Sequence, residues 1–131
     1  MDVTKLYTKI YDELKYPISY NSISEANLQH HLSFILECNW YNTYLEYKHK
    51  VGNKYLRVDI ALLDKYWKPF YFIEVKNSSW TCFRDTNKKG SRQYNKYADC
   101  GIVFSCFDTL SNIDNLINSI KSVISKRHII C

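Results

Sequence analysis

Arg57-Val58-Asp59-Ile60-Ala61-Leu62-Leu63 and Phe70-Tyr71-Phe72-Ile73-Glu74-Val75-Lys76 are two short apolar runs rich in β-forming residues. Between them lies Asp64-Lys65-Tyr66-Trp67-Lys68-Pro69, a segment with turn chemistry, so the runs predict an antiparallel hairpin folded about the Tyr66–Trp67 junction. That centre places Asp59 opposite Glu74. Side chains alternate along a strand, so Glu74 and Lys76 share one face, Val75 takes the other, and Asp59 joins Glu74 as its cross-strand partner. By the same alternation Val58, Ile60 and Leu62 form one face of the first strand, and Ala61 and Leu63 share the other with Asp59.

Both faces of this hairpin are apolar, which predicts cover on both sides. Two carboxylates and one ammonium set among such residues are partly desolvated. That costs several kcal/mol per ion unless the charges are paired or bind a cation. The cluster carries net negative charge, and its hard oxygen donors suit Mg²⁺ or Mn²⁺. A structural salt bridge at a strand end is the competing reading, and it leaves one carboxylate uncompensated.

The rest of the chain supplies a frame for this hairpin. Residues 3–15 and 112–126 have apolar positions at helical spacing, as does a segment from about 23 to 37, where Ser22 and Glu25 stand at capping-box spacing. Residues 41–51 predict a strand, with Gly52-Asn53 turning into the strand that carries Asp59. Residues 77–90 predict a polar, basic loop, followed by a helix over about 91–98 and a buried strand over 101–107. His30 and His31 on the second helix are potential metal ligands, though surface or core histidines are far commoner.

With 131 residues the chain predicts one domain, 46% hydrophobic and 24% charged. The net charge of +5 favours polyanionic partners. Its 12 tyrosines suit either amphipathic core filling or a stacking surface for nucleic acid. The five cysteines, with no C-x-x-C, no signal peptide and no membrane-length apolar run, predict reduced thiols in a cytoplasmic compartment and no membrane partner.

Asp59, fourteen intervening residues and then Glu74-Val75-Lys76 resemble the signature of the PD-(D/E)xK nuclease superfamily, with Val58 where the proline of the name would stand. Gln93-Tyr94-Asn95-Lys96-Tyr97 is similar to the QxxxY motif of its RecB-like members, and the chain also resembles Holliday-junction resolvases in size and element order. The resemblance covers about residues 22–107. It implies an α/β fold with a restriction-endonuclease-like αβββαβ core, a mixed central sheet flanked by helices, and the helices at 3–15 and 112–126 as additions.

The implied activity is metal-dependent hydrolysis of DNA phosphodiesters, at single strands, ends, flaps or branched structures. By resemblance, Asp59, Glu74 and the Val75 backbone carbonyl hold Mg²⁺ or Mn²⁺, Lys76 orients the attacking water, and Glu25 reaches a second metal or holds a water. Gln93 and Tyr97, an i, i+4 pair, address the site together with Arg92, Lys96, Lys88 and Lys89, which position nucleic acid. A homodimer is consistent with junction-type relatives. The alternatives are an RNA endonuclease, and a nucleic-acid- or partner-binding protein on a non-catalytic nuclease fold. The cysteine spacing lacks the C-terminal cluster of iron–sulfur members, which argues against a cluster here.

Overall fold

The computed structural model describes residues 25–76, 97, 100–107 and 113–131. Helix α1 (Glu25–Cys38) is followed by strands β1 (Asn42–Val51), β2 (Lys54–Leu63), β3 (Pro69–Val75) and β4 (Val103–Phe107), and then helix α2 (Ile113–Arg127). The strands form one mixed sheet in the order β1-β2-β3-β4. The first three run antiparallel as a meander, and β4 lies parallel to β3. The expected helix at 3–15 and the loop at 77–90 lie outside the described residues, as does all but Tyr97 of the expected helix at 91–98.

Each helix shows why it starts or stops where it does. In α1, Leu28, Leu32, Ile35 and Leu36 recur at three- and four-residue steps and are buried. Its end is a Schellman motif: the Trp40 and Tyr41 N–H groups donate to the carbonyls of Glu37 and Leu36 at 3.0 and 3.1 Å. Trp40, at φ 69°, fills the left-handed position where glycine is usual. Helix α2 repeats the device with His128 at φ 52° and an Ile129 N–H to Ile124 carbonyl bond of 3.1 Å. Asp114 in its first turn and Lys126 and Arg127 in its last complement the helix dipole.

Both hairpin turns follow their sequence signals. Gly52, at φ 61°, takes the first position of the two-residue β1–β2 turn, where positive φ is needed. In the β2–β3 turn the Asp64 carboxylate accepts N–H bonds from Tyr66 and Lys68 at 2.8 and 2.9 Å. The observed pairs Ile60↔Ile73, Ala61↔Phe72 and Leu62↔Tyr71 are centred on Tyr66–Trp67, as expected, with a register shift at Leu63.

Both helices pack on one sheet face. Their apolar stripes meet Ile60, Leu62, Tyr71, Ile73 and Val75 in a single buried cluster. The opposite face holds a second cluster of Val58, Ala61, Leu63, Phe72 and Tyr97. Strict alternation predicts Val58 on the face of Ile60, but it packs with Ala61 and Leu63 instead. The neighbouring strand changes sides at the same level, with Leu45 against the helix-side cluster and Tyr47 against the other. Between them Glu46 takes φ 53° and drops out of the β1–β2 pairing opposite Asp59. A left-handed non-glycine residue inside a strand rotates the chain, and both strands reverse their in–out pattern there.

Two further expectations need correction. Strand β4 is at the sheet edge among the described residues, and only Phe107 in it is buried. Cys106 is disulfide-bonded, whereas Cys38, Cys100 and Cys131 are not, so uniformly reduced thiols do not describe the chain. Among the described residues no helix is long and apolar enough to cross a membrane.

Candidate functional site

The β2–β3 ladder stops at Ile60↔Ile73, one step short of Asp59 and Glu74. Beyond that point a side chain replaces the backbone acceptor. The Asp59 carboxylate accepts the Val75 N–H at 2.9 Å, while the Asp59 carbonyl accepts from the Gln29 amide of α1 at 2.9 Å. Asp59 is thereby fixed from the neighbouring strand and from the helix above. On the far side of β3, the Lys76 N–H donates to the Phe107 carbonyl at 2.9 Å, extending the parallel pairing to the lysine itself.

Glu74 is only 5% exposed. One of its carboxylate oxygens accepts the hydroxyl of Tyr97, and the other lies 3.7 Å from the Lys76 ammonium. Burial is offset here by a hydrogen bond and an opposite charge, as a carboxylate in this position requires. Tyr97 stacks on Phe104 with ring centroids 5.0 Å apart and touches Phe72 at 6.2 Å. These contacts hold its hydroxyl in place. Burial, and then the adjacent Glu74 charge, push the Tyr97 phenol far above its ordinary value. It therefore stays protonated and remains a donor.

Asp59, Glu74 and Lys76 line one open pocket of about 380 Å³ together with Ala26, Gln29, Glu46 and Arg57. Glu46 is held in an ion pair by Arg57 and lies 3.4 Å from the Gln29 amide. That pairing raises the Arg57 guanidinium above its usual value. Gln29, Glu46 and Arg57 belong to the pocket and were not singled out from the sequence. The alternation of β1 and β2 carried one usable signal, because Glu46 stands opposite Asp59 when register is counted back from the Gly52 turn.

Asp59, Glu74 and Lys76 come together at the pocket, and Tyr97 joins them through Glu74. Tyr97 is 1% exposed, so it cannot offer its ring to nucleic acid; its place is behind Glu74, holding that carboxylate. The N–H of Val75 binds Asp59 and its side chain is buried under the helices. Glu25 opens α1, next to the pocket-lining Ala26, but its side chain lies outside the described residues. Lys88, Lys89, Arg92, Gln93 and Lys96 also lie outside them. His30 is exposed and His31 half-buried, and among the described residues no three His, Cys, Asp or Glu side chains group as metal ligands.

Tyr97 gives the site a pH signature. The folded chain keeps this phenolic proton above pH 10.0, the ordinary value at which an unfolded chain loses it. Stability is therefore complete below that pH and declines above it, by about 1.4 kcal/mol per pH unit for such a group. Tyr97→Phe should flatten the alkaline limb of a stability-versus-pH curve from denaturant melts; an unchanged limb would show that Tyr97 titrates normally. No family model matches the chain, and no solved structure matches it.

Proposed function

We propose that the chain is a divalent-metal-dependent nuclease acting on DNA, with a restriction-endonuclease-like αβββαβ core. The observation carrying this reading is the convergence of Asp59, Glu74 and Lys76 from two paired strand ends onto one open pocket. The donor set fits Mg²⁺ or Mn²⁺. Magnesium is commonly held by one or two carboxylates together with substrate phosphates and water, and does not need an all-protein cage. Bound there, the ion would polarise the phosphoryl group and acidify water.

The chain's own residues do the rest. Asp59, tied to the Val75 N–H, and Glu74, tied to Tyr97, present carboxylate oxygens whose orientation is set before substrate arrives. Lys76 sets its ammonium beside Glu74, where it orients the attacking water and offsets charge developing on the phosphate. Arg57, at the pocket rim, is paired with Glu46 and marks where the basic β1–β2 hairpin meets the pocket.

The test is incubation with labelled single strands, duplex ends, flaps, four-way junctions and RNA in Mg²⁺, Mn²⁺ or EDTA. Cleavage of DNA that requires the metal is expected. Metal-independent cleavage, or none on any substrate, would overturn this reading. Preference for RNA would place the chain among RNA endonucleases.

A further inference from the structure

The β1–β2 hairpin runs past the end of the β2–β3 pairing, from the Tyr47↔Val58 pair to the Val51↔Lys54 pair at its turn. Four residue steps make this a two-stranded arm about 14 Å long. Residues 47–58 contain Lys48, Lys50, Lys54 and Arg57 and no aspartate or glutamate.

The two faces of the arm differ. Tyr47 and Leu56 pack against the second core cluster with buried Val58, and His49 lies edge-on to Phe72 with ring centroids 5.2 Å apart. The other face is exposed and carries Lys48 opposite Arg57 and Lys50 opposite Tyr55. Like charges set directly across a ladder destabilise it, so stability does not account for this pattern. Arg57 is paired with Glu46 at the base of the arm, whereas Lys48 and Lys50 have no ion pair among the described residues. The cationic face starts at the pocket, through Arg57, and runs outward from it.

We propose that this arm is a docking ribbon for double-stranded DNA beside the site of cleavage. Its substrate context rests on the nuclease reading of the adjacent pocket. A two-stranded ribbon fits along a duplex groove and its flanking phosphates. Proteins that grip single strands rely on aromatic platforms for the bases. Here the exposed face offers lysines and a single tyrosine, while Tyr47 is turned to the core, so duplex phosphate is the better match. Glu46 holds Arg57 at the pocket mouth, and Lys48 and Lys50 extend the contact outward.

The test is fluorescence anisotropy of the full chain with labelled duplex and single-stranded oligonucleotides, in EDTA, over a range of salt. The wild-type chain should prefer duplex. Lys48→Ala/Lys50→Ala should lower the magnitude of the log–log salt slope by about 2, at ~0.9 per phosphate contact, and so lose about tenfold less affinity between roughly 50 and 200 mM salt. Lys48→Arg/Lys50→Arg should restore the slope. An unchanged slope in the alanine variant, tighter binding of single strands, or no binding to either oligonucleotide would overturn the proposal. Because no metal is present, the two readings separate. Duplex binding through the arm without any cleavage would defeat the nuclease assignment alone, and cleavage with an unaltered salt slope would defeat the arm alone.

Discussion

Glu74→Ala and Lys76→Ala should each reduce the proposed metal-dependent cleavage by about 10²–10³-fold or more, the scale of losing one preorganised electrostatic group from an active site. The two losses have different origins. Without Glu74 the pocket keeps one of its two strand-end carboxylates and would lose the second of the two proposed to hold the cation against the phosphate. Without Lys76 the carboxylates stay, but the ammonium 3.7 Å from Glu74 is gone, and with it the group proposed to orient the attacking water. Glu74→Ala also removes the buried hydrogen bond from the Tyr97 hydroxyl, a bond to a charged group worth roughly 1.5–3 kcal/mol. Glu74→Gln separates the two effects, because its amide oxygen still accepts from Tyr97 while the charge is lost. Cleavage should fall in Glu74→Gln as it does in Glu74→Ala, with the fold kept. Full cleavage in both Glu74→Ala and Lys76→Ala would place the chemistry elsewhere.

The largest effect on stability is expected at Phe72. This ring is fully buried and links β1 to the site, touching Tyr47, His49 and Tyr97. Truncation to alanine leaves a cavity between those rings and should cost roughly 3–5 kcal/mol. Against a typical stability of about 5–15 kcal/mol that is a large share. It should also loosen Tyr97, and with it Glu74. Tyr66→Ala, at a residue 65% exposed in the β2–β3 turn, is the control and should stay within about 0.5 kcal/mol of wild type. Urea melts of the two variants provide the comparison. Equal midpoints would show that the aromatic cluster does not bear on stability.

Much of the meander could be read from the sequence because its signals are local. Asp64, Pro69, Gly52 and the apolar runs fix two turns, and the centre at Tyr66–Trp67 fixes the register that brings Asp59 to Glu74. The spacing of Ile113, Leu116, Ile117 and Ile120 likewise identifies the closing helix. What local signals miss is set by tertiary contact. Nothing in the residue type of Glu46 announces a left-handed backbone inside a strand, so the reversal of sides at Glu46 and Asp59 is not legible in the sequence. Nor can helical spacing tell whether Tyr97 faces a ligand or the back of a carboxylate; its burial against Phe72 and Phe104 decides that. Gln29 reaches the Asp59 carbonyl across 30 positions of chain, a contact visible only once α1 sits on the sheet.

The outlier at Glu46 lies where function is proposed. A non-glycine residue in the left-handed region costs about 1–2 kcal/mol, and such strain persists where surrounding contacts over-determine it. Here the contacts are the Arg57 ion pair and the Gln29 amide. They hold Glu46 at the pocket rim, at the base of the arm.

The most direct measurement is calorimetric titration of Mn²⁺ into the chain, alone and with an uncleavable phosphorothioate DNA, compared with Glu74→Gln. Saturable uptake that strengthens with DNA and disappears in the variant is the expected result. No uptake with DNA present, or equal uptake by the Glu74→Gln variant, would contradict a metal-dependent site built on Asp59 and Glu74.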